Sequence, residues 1–173
     1  MASRFPIHRM VFACLALAGL PAFAQVDIKA VVVKHLKTSR DFTLKVAEQM
    51  PEADFGFKLT PPQMSFAEQM AHLSEEQAGL LAPFFPNDKA NPGKPASMSK
   101  KDVLAYVRQS FDNSIDKVSK LTPAQIAKTY NGGEGSMTGL ELLMFLMDHT
   151  THHRASAEMY LRAKGITPAE YQF

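Results

Sequence analysis

The chain has 173 residues, with 19 Lys and Arg against 17 Asp and Glu and a single cysteine. That length points to one domain able to bury a core without covalent staples. The net charge of +2 offers no electrostatic footprint for nucleic acid, and one cysteine excludes an internal disulfide.

In chain order the first element is an export signal. Arg4, His8 and Arg9 form a positive start, and Met10 to Leu20 is an apolar run of 11 residues. Ala22-Phe23-Ala24 then places small residues where a signal peptidase reads them, so residues 1–24 read as a cleaved signal and 25–173 as the mature domain. The apolar run is too short to cross a bilayer as a helix, which takes about 20 residues. Cleavage removes Arg4 and Arg9 but no acid, which leaves 17 basic against 17 acidic residues. It also removes Cys14, so any thiol chemistry would need a thiol supplied from outside. A periplasmic or secreted protein with no nucleic-acid or membrane partner is the expectation.

Helix signals dominate the rest. A first helix is expected from about Asp27 to Met50, stopped by Pro51. A connector with Pro61-Pro62 leads to Ser65-Phe66-Ala67-Glu68, a capping box that opens a second helix to about Phe85. Its apolar stripe is Phe66, Met70, Leu73, Leu80, Leu81 and Phe84. Pro86 to Pro95 reads as a loop, and Ser99 with Asp102 opens a third helix ending near Leu121. Thr122-Pro123 starts a short helical turn. The glycine-rich stretch Asn131 to Ser136 reads as a flexible connection. Thr138 with Glu141 is a second capping box, and the long helix it opens closes at Gly165. No stretch alternates with period two, so no strand is expected. Four long helices argue for an all-α four-helix bundle. The connections on either side of the third helix are long for a simple up-and-down arrangement.

Five histidines lie beyond the signal: His35, His72, His149, His152 and His153. His149 and His153 are four apart and share one helical face, where two imidazoles can point at one ion. Imidazole suits zinc, nickel, iron or copper. At about 100° per residue the pair falls in one stripe with Leu142, Phe145, Leu146, Ser156 and Tyr160, which should face the bundle interior. Two histidines buried side by side need partners, and a shared metal, or hydrogen bonds to each other or to water, would supply them. His72 flanks the stripe of the second helix and could face a neighbouring helix or solvent. His152 points about 60° to one side and could substitute as a ligand or support one. His35 reads as a surface or core-edge residue. Asp148 and Glu141 are candidates to orient imidazoles, or members of a solvated face. Arg154 could hold an anionic substrate or pair with an acid, and Tyr160 could line a pocket or pack the core. The methionines read as adaptable core packing rather than copper ligands.

Four stretches resemble the DinB-like (DinB/YfiT-type) superfamily of four-helix proteins. They are Met50-Pro51-Glu52-Ala53-Asp54-Phe55 leading to Lys58-Leu59-Thr60-Pro61; Ser65-Phe66 followed by Met70-Ala71-His72-Leu73; Asp148-His149-Thr150-Thr151-His152-His153-Arg154; and Tyr160-Leu161-Arg162-Ala163-Lys164-Gly165-Ile166-Thr167-Pro168. HxxxH alone is a weak pattern, whereas HxxxHR, the following YLRxxG and the upstream histidine are specific together. The match spans nearly all of residues 25–173. The resemblance implies a metal triad of His72, His149 and His153 holding a divalent transition metal such as zinc, nickel, iron or manganese. Three ligands leave coordination positions open, as catalytic sites do. A metal there could bind a thiol and lower its pKa, and characterised relatives use low-molecular-weight thiols in transfer or isomerisation. The chain departs from the pattern at Ala155-Ser156, where members often carry Gly-Gln, which bears on substrate contacts rather than on the metal. The expectation is therefore an exported metal-binding protein, a thiol-dependent transferase or isomerase-like metalloenzyme, or alternatively a non-catalytic metal-binding, ligand-binding or structural bundle. A small-molecule or thiol partner fits the first reading, and a homodimer through an exposed apolar helix face fits the last. The family name suggests DNA repair, but the export signal and neutral charge speak against it.

Overall fold

A computed structural model of the chain describes residues 26–88, 94–132 and 135–173. The expected signal, residues 1–24, lies outside them. Among the described residues five α-helices and one hairpin follow in order: α1 (Ile28–Gln49), α2 (Phe66–Leu81), α3 (Lys100–Ser119), the short α4 (Pro123–Ala127), β1 (Thr129–Gly132), β2 (Gly135–Thr138) and α5 (Gly139–Ala163). Among the described residues, no helix is long and apolar enough to cross a membrane.

The helix boundaries follow from local chemistry. Asp27 caps α1 through the Ala30 amide, and Ser99 caps α3 through that of Asp102. Ser65 with Glu68, Thr122 with Gln125 and Thr138 with Glu141 form complete capping boxes, so donors that would otherwise lack partners are satisfied locally. Gly165 sits at φ +73°, the left-handed conformation in which a helix commonly closes and which glycine adopts without penalty. At the end of α1, the Lys100 ammonium donates to the carbonyls of Glu48 and Met50 at 2.7 and 2.8 Å. The start of α3 thus caps the end of α1.

That contact fixes the topology. Helix α1 is antiparallel to α3, with Arg40 of one bonded to Asp112 of the other at 2.7 Å. The α2 start lies by the α5 end, where the Tyr160 hydroxyl donates to the Met64 carbonyl. Helices α1 and α2 lie on one diagonal of the bundle, and α3 and α5 on the other. Because α2 ends at the pole opposite the one where α3 begins, Phe84 and Ser99 lie at opposite poles of the bundle. This accounts for the long second connection. The core between the four long helices is built from Leu36, Phe42, Phe66, Leu73, Phe111 and Leu146, all nearly inaccessible to solvent.

Among the described residues, α2 stops at Leu81 and gives way to a 3-10 turn at Ala82–Phe84, short of the expected end near Phe85, and the larger departure in secondary structure is the hairpin. Residues expected to be a flexible glycine-rich connection instead pair antiparallel, Thr129 with Thr138 and Tyr130 with Met137. Four-residue strands flanking a turn are too short to show a period-two pattern, and tertiary contacts supply what local propensity lacks. Tyr130 packs its ring 5.0 Å from that of Phe84 and donates its hydroxyl to the Gln125 carbonyl. Where the hairpin enters α5, Gly139 lies against α4. A Cβ there would press on the Gln125 carbonyl and come within 2.8 Å of the Ile126 backbone. Gly139→Ala should therefore lower stability by about 1–3 kcal/mol, the usual cost of overpacking. Thermal denaturation would show it, and an unchanged Tm would mean that α4 can shift freely.

Candidate metal centre

Helices α2 and α5 pack side by side, and near the middle of their contact three half-buried imidazoles meet. His72 comes from α2, His149 and His153 from successive turns of α5. Ring centroids are 5.1 Å apart for His72 and His149, and 4.5 Å for each of the other two pairs. Each ring offers a nitrogen, and the three lie within 4.8 Å of one another. The spacing along α5 places two of these on a common face. The α2–α5 packing turns His72 toward them rather than toward solvent, which its position beside the α2 stripe left open.

The donor set suits a metal on chemical grounds. Buried Gln69, three residues before His72 on α2, places Oε1 2.6 Å from His153 Nδ1. An amide oxygen only accepts, so Nδ1 carries the proton and Nε2 keeps its lone pair for an ion. A carbonyl on the outer nitrogen is the usual support of a ligating imidazole. Burial, and then the neighbouring His149 and His72, push His153 down to about 4. Burial also lowers His149, followed by His72, with Glu76 acting in the opposite direction. Both rings are thus neutral near pH 7, the state in which imidazole binds metal.

These shifts set a pH dependence for the metal-free protein. Unfolded His153 takes up a proton near 6.5, whereas the folded site resists until about 4. Between those values the unfolded chain binds more protons, so stability is full above the upper value and declines as the pH falls toward the lower. His149 acts in the same direction. Tm measured from pH 7 to 4 in chelator should fall, and less steeply in His153→Leu. Parallel profiles would contradict the burial argument.

Other residues fall elsewhere. His152 is exposed and stands edge-on to His153 at 4.9 Å, outside the converging set. His35 is half-buried at the core edge, its ring 5.5 Å from that of Phe173. Glu141 does not orient an imidazole, because its carboxylate is committed to the amide and hydroxyl of Thr138 at the α5 cap. Asp148 is exposed, and its charge is the weakest of the influences on His149. Arg154 follows His153 but points to α1, where it donates to Ser39 Oγ at 2.6 Å and covers the Phe42 ring. It is buried and is not placed to meet a substrate at the triad. Tyr160 is core, packed against Phe57 and Phe66. The functional residue not singled out from the sequence is Gln69. Its one signal is the three-residue spacing to His72, which puts both on one face of α2.

Comparison with known proteins agrees with this architecture. A crystal structure of a DinB-like protein from Bacillus cereus superposes with a TM-score of 0.71 at 15% identity, covering 82% of this chain and 95% of that one. The DinB-like protein YjoA from Bacillus subtilis superposes with a TM-score of 0.67 at 20% identity, covering 82% and 96%. In sequence, YjoA, described as uncharacterized, is 23% identical over 147 residues, 79% of this chain and 90% of its own. These likenesses carry the fold. The family model described as DinB family matches residues 24–173, which is the whole bundle with its three histidines, and the chain accordingly belongs to the DinB family.

Proposed function

We propose that this protein is an exported metal-binding protein that holds one divalent transition metal ion through His72, His149 and His153. The observation that carries the reading is the meeting of three imidazole nitrogens within 4.8 Å, one of them with its outer nitrogen bonded to Gln69. Zinc, nickel, iron and manganese are the candidate ions, since a three-imidazole set accepts several. A bound ion with open positions would supply Lewis acidity and a lowered pKa to a ligand such as a thiol or water. The chain's own part is to keep the His149 and His153 rings neutral, to orient His153 through Gln69 and to shield one side of the site with the α2–α5 packing. Beyond residue 24 the sequence contains no cysteine, which fits a small thiol as cosubstrate of a transferase or isomerase-like reaction. Export is supported by the charged, apolar and small-residue order of residues 1–24.

The test is to purify residues 25–173 without a histidine tag and measure bound metals by mass spectrometry. About one ion per chain is the expected result for a single set of three protein ligands. A protein that takes up no metal, and melts identically with and without chelator, would leave a helical bundle whose histidines merely satisfy one another. Turnover of electrophiles by the loaded protein with a panel of low-molecular-weight thiols separates a transferase from a binder.

A further inference from the structure

A cavity of about 540 Å³ lies beside the triad, between α2, the hairpin and α5. That volume is in the range of small-molecule sites. Its walls are mainly apolar: Leu80 from α2, Tyr130 and Met137 from the hairpin, Leu142 and Phe145 from α5. One charged residue, Glu76, lines it. The cavity continues the triad's groove by one helical turn, because Glu76 follows His72 by four residues and Phe145 precedes His149 by four. The Phe145 ring stands edge-on to that of His149 at 6.0 Å, and the Glu76 charge reaches His149.

Glu76 is half-buried, and among the described residues no lysine or arginine forms an ion pair with it. Its carboxylate oxygens therefore keep acceptor capacity for a donor that a ligand would bring. The carboxylate lies over Gly79, with Oε2 3.7 Å from where a Cβ on that residue would stand. The paired strands hold Tyr130 and Met137 as cross-strand neighbours, which makes the hairpin a built wall of the cavity.

We infer that this cavity binds an uncharged apolar small molecule that carries an O–H or N–H donor at the end nearest the triad, donated to Glu76. The apolar body lies along Leu80, Leu142 and Phe145, and anions are excluded by the carboxylate. Calling the occupant a substrate rests on the metal-centre reading, since only an ion on the triad brings chemistry one turn away.

The experiment titrates metal-free protein with 4-phenylbutanol, its methyl ether and 4-phenylbutanoate, followed by amide shifts of Gly79, Gly135 and Phe145. The alcohol should bind about tenfold more tightly than the ether, the worth of one hydrogen bond to a charged group, and the carboxylate should not bind. Glu76→Leu should abolish the difference between alcohol and ether, and Glu76→Gln should admit the carboxylate. Ala82→Trp, at an exposed rim position, should block both the alcohol and the ether without disturbing the core. Equal affinities for alcohol and ether in the native protein, or binding that survives Ala82→Trp, would overturn the assignment. Because the titration needs no metal, failure to load an ion overturns the metal-centre reading separately.

Discussion

His153→Ala should release the metal, with affinity falling by at least about 100-fold, beyond the 10–100-fold typical of losing an outer partner of a ligand. The expectation rests on geometry. His153 is the ring nearest both others, 4.5 Å from each centroid, and removing it leaves only two protein ligands. Gln69→Leu should lower affinity by about 10–100-fold, because the ring loses the bond that fixes its tautomer while the three nitrogens remain. A zinc competition titration against a chromogenic chelator reads both. The ordering matters more than either value. A Gln69 variant that binds as tightly as the native protein would show that the 2.6 Å contact to Nδ1 does not orient the ligand. Unchanged binding by His153→Ala would end the three-histidine assignment. His152→Ala should bind normally, since its exposed ring is not among the converging three.

Arg154→Ala should cost about 2–4 kcal/mol of stability while leaving metal content unchanged. Arg154 is 2% exposed. It donates to Ser39 across the α1–α5 interface and lies 4.7 Å above the Phe42 ring. Burial lowers its pKa, and Glu158, one turn along α5, opposes that. Truncation would leave a void beside Phe42 and the buried Ser39 hydroxyl without its donor. Arg154→Met should be milder, at about 1 kcal/mol or less, because it refills the void and removes the desolvated charge. Chemical denaturation of the metal-free variants measures the difference. An Arg154→Ala protein of native stability but reduced ligand binding would instead return this residue to the substrate role that its neighbour in sequence suggests.

Much of the candidate site is legible in the amino-acid sequence. His149 and His153 sit four apart, and helical geometry alone puts them on one face. The helix ends are legible for the same reason. Ser65 with Glu68, Thr138 with Glu141, and Gly165 act within one turn of themselves, and the structure places caps at all three. His72 is different. Its helix is evident from the sequence and its partner is not, because the side of α2 that meets α5 depends on how the whole chain packs. The resemblance to a family supplies that pairing, and the packing of α2 on α5 agrees with it.

Three features belong to tertiary structure alone. Gln69 reads as an ordinary polar helix residue until α5 lies against it. Arg154 adjoins a site residue in sequence yet serves the opposite interface, since one step along a helix turns a side chain by about 100°. The hairpin at Thr129–Thr138 carries no period-two pattern, and its pairing is held by Tyr130 docking on Phe84 and Gln125. Caps, breaks and same-face pairs are set by interactions spanning four residues or fewer, which any segment carries with it. Convergence of α2 with α5, and the cavity beside it, depends on contacts between segments some seventy residues apart in the chain, so only the folded core could decide them.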